Sequence, residues 1–403
     1  MAAAAELLTP ARLAIVNATA PAVAANLNKI TPHFYNTMFK NNPETLAFFN
    51  EQNQRGGRQP EALARYVLAA VQNLDKLESL DAQTALVVQK HCALGVKPEH
   101  YKIVHDNFLK ATADILGDAV TADVADAWSA VLQVVAGHLI KLESNCYDAK
   151  TKMLDGWDAR EPMKFKVVSV DKSVPNVTTI DMVRSDGKTP PPFIPGQYIT
   201  VAGGEGIKCA PRHYTIAEPA LDGGKVRISV KHVKAPGGSS EFIDAADGVM
   251  STFLNTQTKE GDELFLRPPF GSFTVDSFPE KTVAFVSAGI GITPALAMLK
   301  PLVEKGKKVV HVHVDHDEKS VCGSKALSAL KLEKSVHLYG RKSAPPSKIV
   351  EELNQAGVDL KSADTAVAVV TPPSMMLPLL DELKKAGVEG GRLKHEAFGP
   401  EVA

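Results

Sequence analysis

The residue types best suited to redox chemistry begin with one histidine. His91 lies near the end of an apolar-periodic stretch, Lys97-Pro98 opens the next helix, and Tyr101 falls in its first turn. Proline suits a helix start, where its missing N–H costs nothing. An imidazole aimed into an apolar pocket is the usual way to hold a haem iron. Twelve histidines are present. A lone one is more often a core or surface residue, so His91 needs further support before it counts as a ligand.

Two other groups of residues suit phosphate and ring binding. Ser287-Ala288-Gly289-Ile290-Gly291-Ile292-Thr293-Pro294 follows an apolar run and opens a helix. Glycines let a backbone approach a phosphate, and a helix N-terminus favours its charge. The segment is not G-x-G-x-x-G, because Pro294 stands where the last glycine would be. Earlier, Pro195-Gly196-Gln197-Tyr198 precedes Arg212-His213-Tyr214-Thr215. Arg212 offers a planar donor fork for a pyrophosphate, Tyr214 a flat face for an aromatic ring, and Thr215 a hydroxyl for a ring nitrogen.

The elements that must position these groups fall into three rhythms. Residues 1–150 read as all-helical. Helical patterning over Ala11 to Phe39 is expected to break near Pro21 and Thr31-Pro32, and Val124, Trp128, Val131, Val135 and Leu139 recur at helical spacing. Residues 151–162 look like a polar linker. From 163 to 277, short alternating runs such as Val226 to Val230, punctuated by glycines and prolines, predict an antiparallel β-barrel. From 278 to 403, strand and helix patterns alternate, which predicts a parallel α/β sheet. Thr282 to Leu299 carries no charge and approaches the length of a membrane span, but its glycines and Pro294 favour a strand, a turn and a helix.

The Gly-x-Gly-x-Thr-Pro turn is similar to that of the pyridine-nucleotide domain of ferredoxin–NADP reductases. The barrel residues resemble the flavin half of the same reductases. So do Val249-Met250-Ser251, Pro269 to Phe273 and Glu396-Ala397-Phe398-Gly399-Pro400. Tyr35, Phe49, Gln59, Leu63 and His91 follow the order and spacing of a bacterial-type globin pocket. From about residue 10 to Pro400 the chain resembles the flavohaemoglobins, which are nitric oxide dioxygenases.

That resemblance implies haem b on His91, with Tyr101 and Glu143 behind it; helical periodicity alone would leave Glu143 an exposed charge. It places Tyr35 and Gln59 near bound oxygen, Phe49 against the porphyrin and Leu63 over the iron. It gives FAD to Tyr198, Arg212, His213, Tyr214, Thr215, Val249, Met250, Ser251 and the segment Glu396 to Pro400. NADH or NADPH goes to Gly289, Ile290, Gly291, Ile292, Thr293 and Pro294. Electron counting explains the union. A nicotinamide gives two electrons at once and a haem takes one, so a flavin must stand between them. The expected reaction is oxidation of nitric oxide by O2 to nitrate. An oxygen-binding or sensing haemoprotein with its own reductase would share every motif. Nitric oxide consumption no faster than that of a simple globin would favour it.

The chain also departs from the family. Val369-Val370-Thr371-Pro372-Pro373 replaces the usual Tyr-x-Cys-Gly-Pro, and Lys394-His395 precedes Glu396 where an aromatic is usual. Asp315 and Asp317 would repel a 2′-phosphate, while Lys319 would attract one. The apolar pockets of the family permit a lipid on the distal side.

Bulk properties exclude several classes. A formal net charge of -1 advertises neither nucleic acid nor an anionic membrane. Four scattered cysteines contain no C-x-x-C, which argues against structural zinc and a disulfide framework. A monomer in a reducing cytoplasm, with no membrane anchor, is expected.

Overall fold

A computed structural model describes residues 6–49, 58–204, 211–217, 224–233, 249–340 and 343–398. The chain forms two compact units, one reaching Glu161 and one spanning Pro162–Phe398.

The first unit is helical: α1 (Pro10–Asn41), α2 (Arg58–Gln72), α3 (Asp81–Leu94), α4 (Pro98–Leu116) and α5 (Ala122–Thr151). The expected break in α1 does not occur, and the helix runs through Pro21 and Pro32. Each proline forfeits a backbone bond, at about 3 kcal/mol. Both sit on the exposed face, as do Asn17 and Asn28, whose carbonyls lose a partner to them. Water can satisfy those oxygens. The opposite face buries Val16, Val23, Leu27, Ile30, Phe34 and Met38. At roughly 1.5–3 kcal/mol per buried large side chain, that burial outweighs the two lost bonds. The stretch expected to be a polar linker contains three buried residues, Leu154, Trp157 and Ala159. The Trp157 indole N–H donates to Glu161 O at 2.7 Å.

The second unit opens with β1 (Met163–Asp171), β2 (Val177–Arg184), β3 (Tyr198–Gly204), β4 (Arg212–Thr215) and β5 (Val226–Lys231). Helix α6 (Val249–Thr256) and β6 (Glu263–Phe270) follow. The sheet order is β4-β3-β6-β1-β2-β5, antiparallel throughout. Beyond β4 the chain turns back to β5, where the Ala217 N–H donates to Arg227 O at 2.9 Å. That bond curls the sheet toward the expected barrel.

The remainder holds β7 (Thr282–Ala288), α7 (Ile292–Glu304), β8 (Lys308–Asp315), α8 (Ser324–Ser328) and β9 (Lys334–Tyr339). It continues with α9 (Pro346–Gln355), β10 (Thr365–Val370), α10 (Pro373–Lys385) and β11 (Leu393–His395). The strands are parallel, in the order β11-β10-β7-β8-β9. Apolar clusters cover both faces, which explains why β7 and β10 read as unbroken apolar runs. The uncharged run from Thr282 resolves into a strand, a turn and a helix. No helix among the described residues is long and apolar enough to cross a membrane. One polar network is sealed inside this sheet. Ser287 Oγ lies 2.9 Å from His311 Nε2 and 2.8 Å from His313 Nδ1, and His313 Nε2 lies 3.2 Å from Asp315 Oδ2.

Candidate functional site

The site in the helical unit is built at a corner. Gly95, at φ 80°, ends α3 in the left-handed conformation that suits glycine, and Pro98 starts α4 three residues later. His91 therefore sits in the last turn of one helix and Tyr101 in the first turn of the next. Helix α5 passes behind both. The Tyr147 hydroxyl donates to Val96 O at 3.0 Å and ties that corner to α5.

One turn earlier on α5, Glu143 is 3% exposed. Its Oε1 accepts from His91 Nδ1 at 2.7 Å and from the Tyr101 hydroxyl at 2.5 Å. The Tyr101 hydroxyl also lies 3.2 Å from His91 Nδ1. Burial, and then the charge of Glu143, push the Tyr101 phenol well above its usual range, so it stays a donor. With Nδ1–H given to a buried carboxylate, the lone pair belongs to Nε2, the arrangement that raises the basicity of a histidine ligand. Nε2 has no protein partner among the described residues, and the side chain is 32% exposed. An imidazole oriented from behind and open in front fits a haem iron.

Tyr35, 5% exposed, and the half-buried Phe49 and Leu63 share one apolar cluster. The Tyr35 and Phe49 rings meet edge-on at 5.5 Å. Gln59 belongs to α2, but its side chain lies outside the described residues.

In the barrel, β3 and β4 pair so that Tyr198 faces Thr215, Ile199 faces Tyr214, Thr200 faces His213 and Val201 faces Arg212. Arg212, His213 and Tyr214 are half-buried and Thr215 is buried. The Tyr198 and His213 rings are 4.6 Å apart, and His213 Nδ1 lies 2.8 Å from Thr200 Oγ1. Gly271, at φ 118°, lets the Tyr198 ring lie close, since a Cβ there would be 3.0 Å from it. On α6, Val249 is exposed, Met250 is buried, and Ser251 Oγ accepts from the Val233 N–H at 3.2 Å. Such an edge, with a guanidinium, a half-buried phenol ring and a buried hydroxyl, fits a flavin nucleotide.

The glycine turn lies at the carboxyl ends of the parallel strands. Gly291 presses so closely on β10 that a Cβ would be 2.2 Å from Val370 O. Gly289 takes φ 53°. No side chain caps α7; the Ile292 N–H turns back to Gly289 O and Ile290 O, and the helix N-terminus favours an anion by its dipole. The Thr293 hydroxyl donates to Ile290 O at 3.1 Å, and Pro294 is buried in the first turn. Lys231, from the barrel, brings its ammonium to 3.5 Å from where a Gly289 Cβ would stand. Sequence spacing gave no sign of that cation. Beyond β11, the Glu396 N–H donates to Val369 O at 3.1 Å. Ala397 packs on the core and Phe398 is 53% exposed. Gly399 and Pro400 lie outside the described residues.

Similarities to known proteins follow the same division. Residues 32–139 match the globin family, and residues 176–275 match the oxidoreductase FAD-binding domain. Flavohemoprotein A of Dictyostelium discoideum is 33% identical over 402 residues, covering 98% of each chain. The flavohemoprotein of Halalkalibacterium halodurans is 36% identical over 305 residues, 74% of this chain and 72% of that one. Among solved structures, the flavohemoglobin of Malassezia yamatoensis with bound FAD and heme superposes with a TM-score of 0.75 at 25% identity. That match covers 97% of this chain and 100% of the other.

Proposed function

The chain belongs to the flavohaemoprotein family of NAD(P)H-dependent oxidoreductases, and from that premise we propose that it is a nitric oxide dioxygenase. It takes NADH or NADPH, O2 and nitric oxide, and releases nitrate. When bound, FAD divides the electron pair of a hydride, and haem supplies the iron at which oxygen and nitric oxide combine. One hydride serves two turnovers, because each conversion of O2 and nitric oxide to nitrate consumes one electron.

The protein's own residues divide the remaining work. His91 would hold the iron through Nε2. Glu143, accepting from Nδ1, keeps the ring oriented and electron-rich, and Tyr101 holds the carboxylate in place. Tyr35 would offer a hydroxyl donor, and Gln59 an amide, on the side of the haem away from His91. Phe49 would supply an apolar face for the porphyrin, and Leu63 would narrow the approach to the iron. Tyr198, Arg212, His213, Tyr214, Thr215, the Val249–Ser251 segment and the Glu396–Pro400 segment hold FAD. The turn from Gly289 to Pro294, with Lys231 beside it, takes the pyrophosphate of the dinucleotide.

The observation that carries this reading is the contact of His91 Nδ1 with a carboxylate 3% exposed, while Nε2 has no partner among the described residues. A simple oxygen carrier has less use for so electron-rich an iron. Purified protein should show a Soret band together with flavin absorbance, and should consume nitric oxide aerobically with NADH or NADPH. His91→Ala should abolish that consumption and leave hydride transfer to flavin intact. Nitric oxide consumption no faster than that of a globin without a reductase would reject the proposal.

A further inference from the structure

Cys92, Cys146 and Cys322 are free thiols among the described residues, and the first two meet. Cys92 lies next to His91 near the end of α3, and Cys146 lies about one turn beyond Glu143 on α5. The two helices run side by side at this level. The Tyr147 hydroxyl reaches Cys92 O at 3.3 Å. The Cys92 thiol donates to Glu143 O at 3.7 Å, and the Gln89 amide donates to Cys146 Sγ at 3.6 Å. Across that gap the two thiols share a hydrogen bond, and each is the strongest influence on the other. Spacing along the chain hides the pair, because each helix supplies one half.

The two sulfurs are not equivalent. Cys92 is fully buried, where a cysteine alone behaves as a small apolar residue. Cys146 is half-buried and stands within reach of a small solute. Its surroundings favour reaction. The Gln89 amide points at it, and Lys150 follows about one turn later on α5. The hydrogen bond from Cys92, against burial and with help from the Lys150 ammonium, holds the Cys146 thiol below its usual range. Reactive thiols occupy such partly exposed, donor-rich settings. Oxidation there is reversible when a second thiol waits to resolve it.

We propose that Cys92 and Cys146 are an oxidative modification site, at which a hydroperoxide forms a disulfide that fastens α3 to α5 beside the His91 imidazole. Cys146 Sγ attacks one oxygen of hydrogen peroxide. The O–O bond breaks, the sulfur keeps a hydroxyl as sulfenic acid, and the other oxygen leaves as water with the thiol proton. Cys92 Sγ then attacks Cys146 Sγ and expels that hydroxyl, which takes the Cys92 proton and leaves as a second water. Two electrons pass from the sulfurs to the peroxide. The finished bond is about 2.05 Å long, so it holds Cys92 against the turn of α5 that carries Glu143. His91 and Glu143 flank the bond on their own helices and can no longer part freely. The consequence for haem rests on the reading of His91 as the iron ligand. A thiol reductant reverses the step by exchange, which suits a reducing compartment.

The test uses the full chain loaded with FAD and ferric haem, as wild type, Cys92→Ser and Cys146→Ser. Hydrogen peroxide is added in small excess, with imidazole on the iron to keep peroxide from it, and both are removed by gel filtration. Peptide mapping of the wild type should then show Cys92 joined to Cys146. Haem transfer to excess apomyoglobin should slow by roughly tenfold, the lower end of what groups that orient a metal-bound histidine are worth. Dithiothreitol should restore both thiols and the original rate. Cys92→Ser should stop at the sulfenic acid of Cys146, trapped by dimedone, and peroxide should leave haem transfer from Cys146→Ser unchanged. Where a variant fails to fold, the wild-type peptide map still decides. Both thiols free after treatment, or Cys146 driven to sulfinic acid with Cys92 reduced, overturns the site. A disulfide that leaves haem transfer unchanged overturns its link to the His91 contact. Wild-type protein that takes up no haem overturns the reading of His91 instead, and the cross-link is scored independently.

Discussion

Replacing Glu143 by glutamine would remove a charge and little else. The amide has nearly the same shape, and its oxygen can still accept from His91 Nδ1. The wild-type bond is 2.7 Å long and ends on a carboxylate whose side chain is 4% exposed, so solvent screens it little. A hydrogen bond to a charged group is worth about 1.5–3 kcal/mol and a neutral one about 0.5–1.5. The substitution therefore withdraws about 1–1.5 kcal/mol of support from the imidazole. That corresponds to roughly a tenfold loss, at the lower end of the 10- to 100-fold range typical of groups that orient metal-bound histidines.

Three measurements separate the consequences. Nitric oxide consumption should fall about tenfold. The iron–histidine stretching vibration should move to lower frequency. Anaerobic reduction of the flavin by NADH in rapid mixing should not change, because the affected bonds lie within the helical unit. Tyr101→Phe, which leaves Glu143 charged but less firmly held, should give a smaller effect in the same direction. If Glu143→Gln retains its haem and shows wild-type turnover with an unmoved vibration, the carboxylate has no part in tuning the iron.

Other outcomes follow from other contacts. Tyr35→Phe should speed oxygen dissociation by up to about tenfold in flash-photolysis traces, the loss of one hydrogen bond. Gly291→Ala would force a Cβ to 2.2 Å from Val370 O. It should cost about 1–3 kcal/mol in denaturant unfolding and weaken NAD+ binding, as the turn moves off the strand. Burial, then the neighbouring imidazoles of His313 and His337, hold His311 well below the usual histidine range. The unfolded chain therefore takes up a proton that the folded chain refuses. Stability is fully present above pH about 6.5 and declines on acidification toward the folded value, by at most about 1.4 kcal/mol per pH unit. Melting temperatures between pH 7.5 and 5.5 would show the decline, and His311→Val should flatten it.

Much of this was legible from period and punctuation. Spacings of three and four marked the helical unit, alternation the barrel, and apolar runs ending in glycine the parallel sheet. What escaped depends on neighbours that only the fold supplies. Pro21 and Pro32 looked like breaks because local propensity takes no account of the apolar side chains that α1 buries opposite them. Glu143 looked like a surface charge, yet it lies four residues beyond Leu139 and four before Tyr147, on the buried stripe of α5. A charge placed on an apolar stripe was the available signal. β11 has only three residues at a sheet edge, too few for any periodicity. Lys231 comes beside the glycine turn through the fold rather than through spacing along the chain.

The sealed network of Ser287, His311, His313 and Asp315 also acts as a key for strand alignment. A parallel pair can slide by two residues and keep the same side chains facing inward. Between β7 and β8 that slip would set Phe285 opposite His313 in place of His311. His311 would then stand beside Val283 and lose the hydroxyl, and Ser287 would face Asp315 instead of an imidazole, deep in an apolar interior. A hydrocarbon ladder would tolerate the slip, whereas two rings bridged by one serine make the correct rung the cheapest. That rung also sets the height of the strand ends, so a polar knot away from the ligand face helps fix where the glycine turn sits.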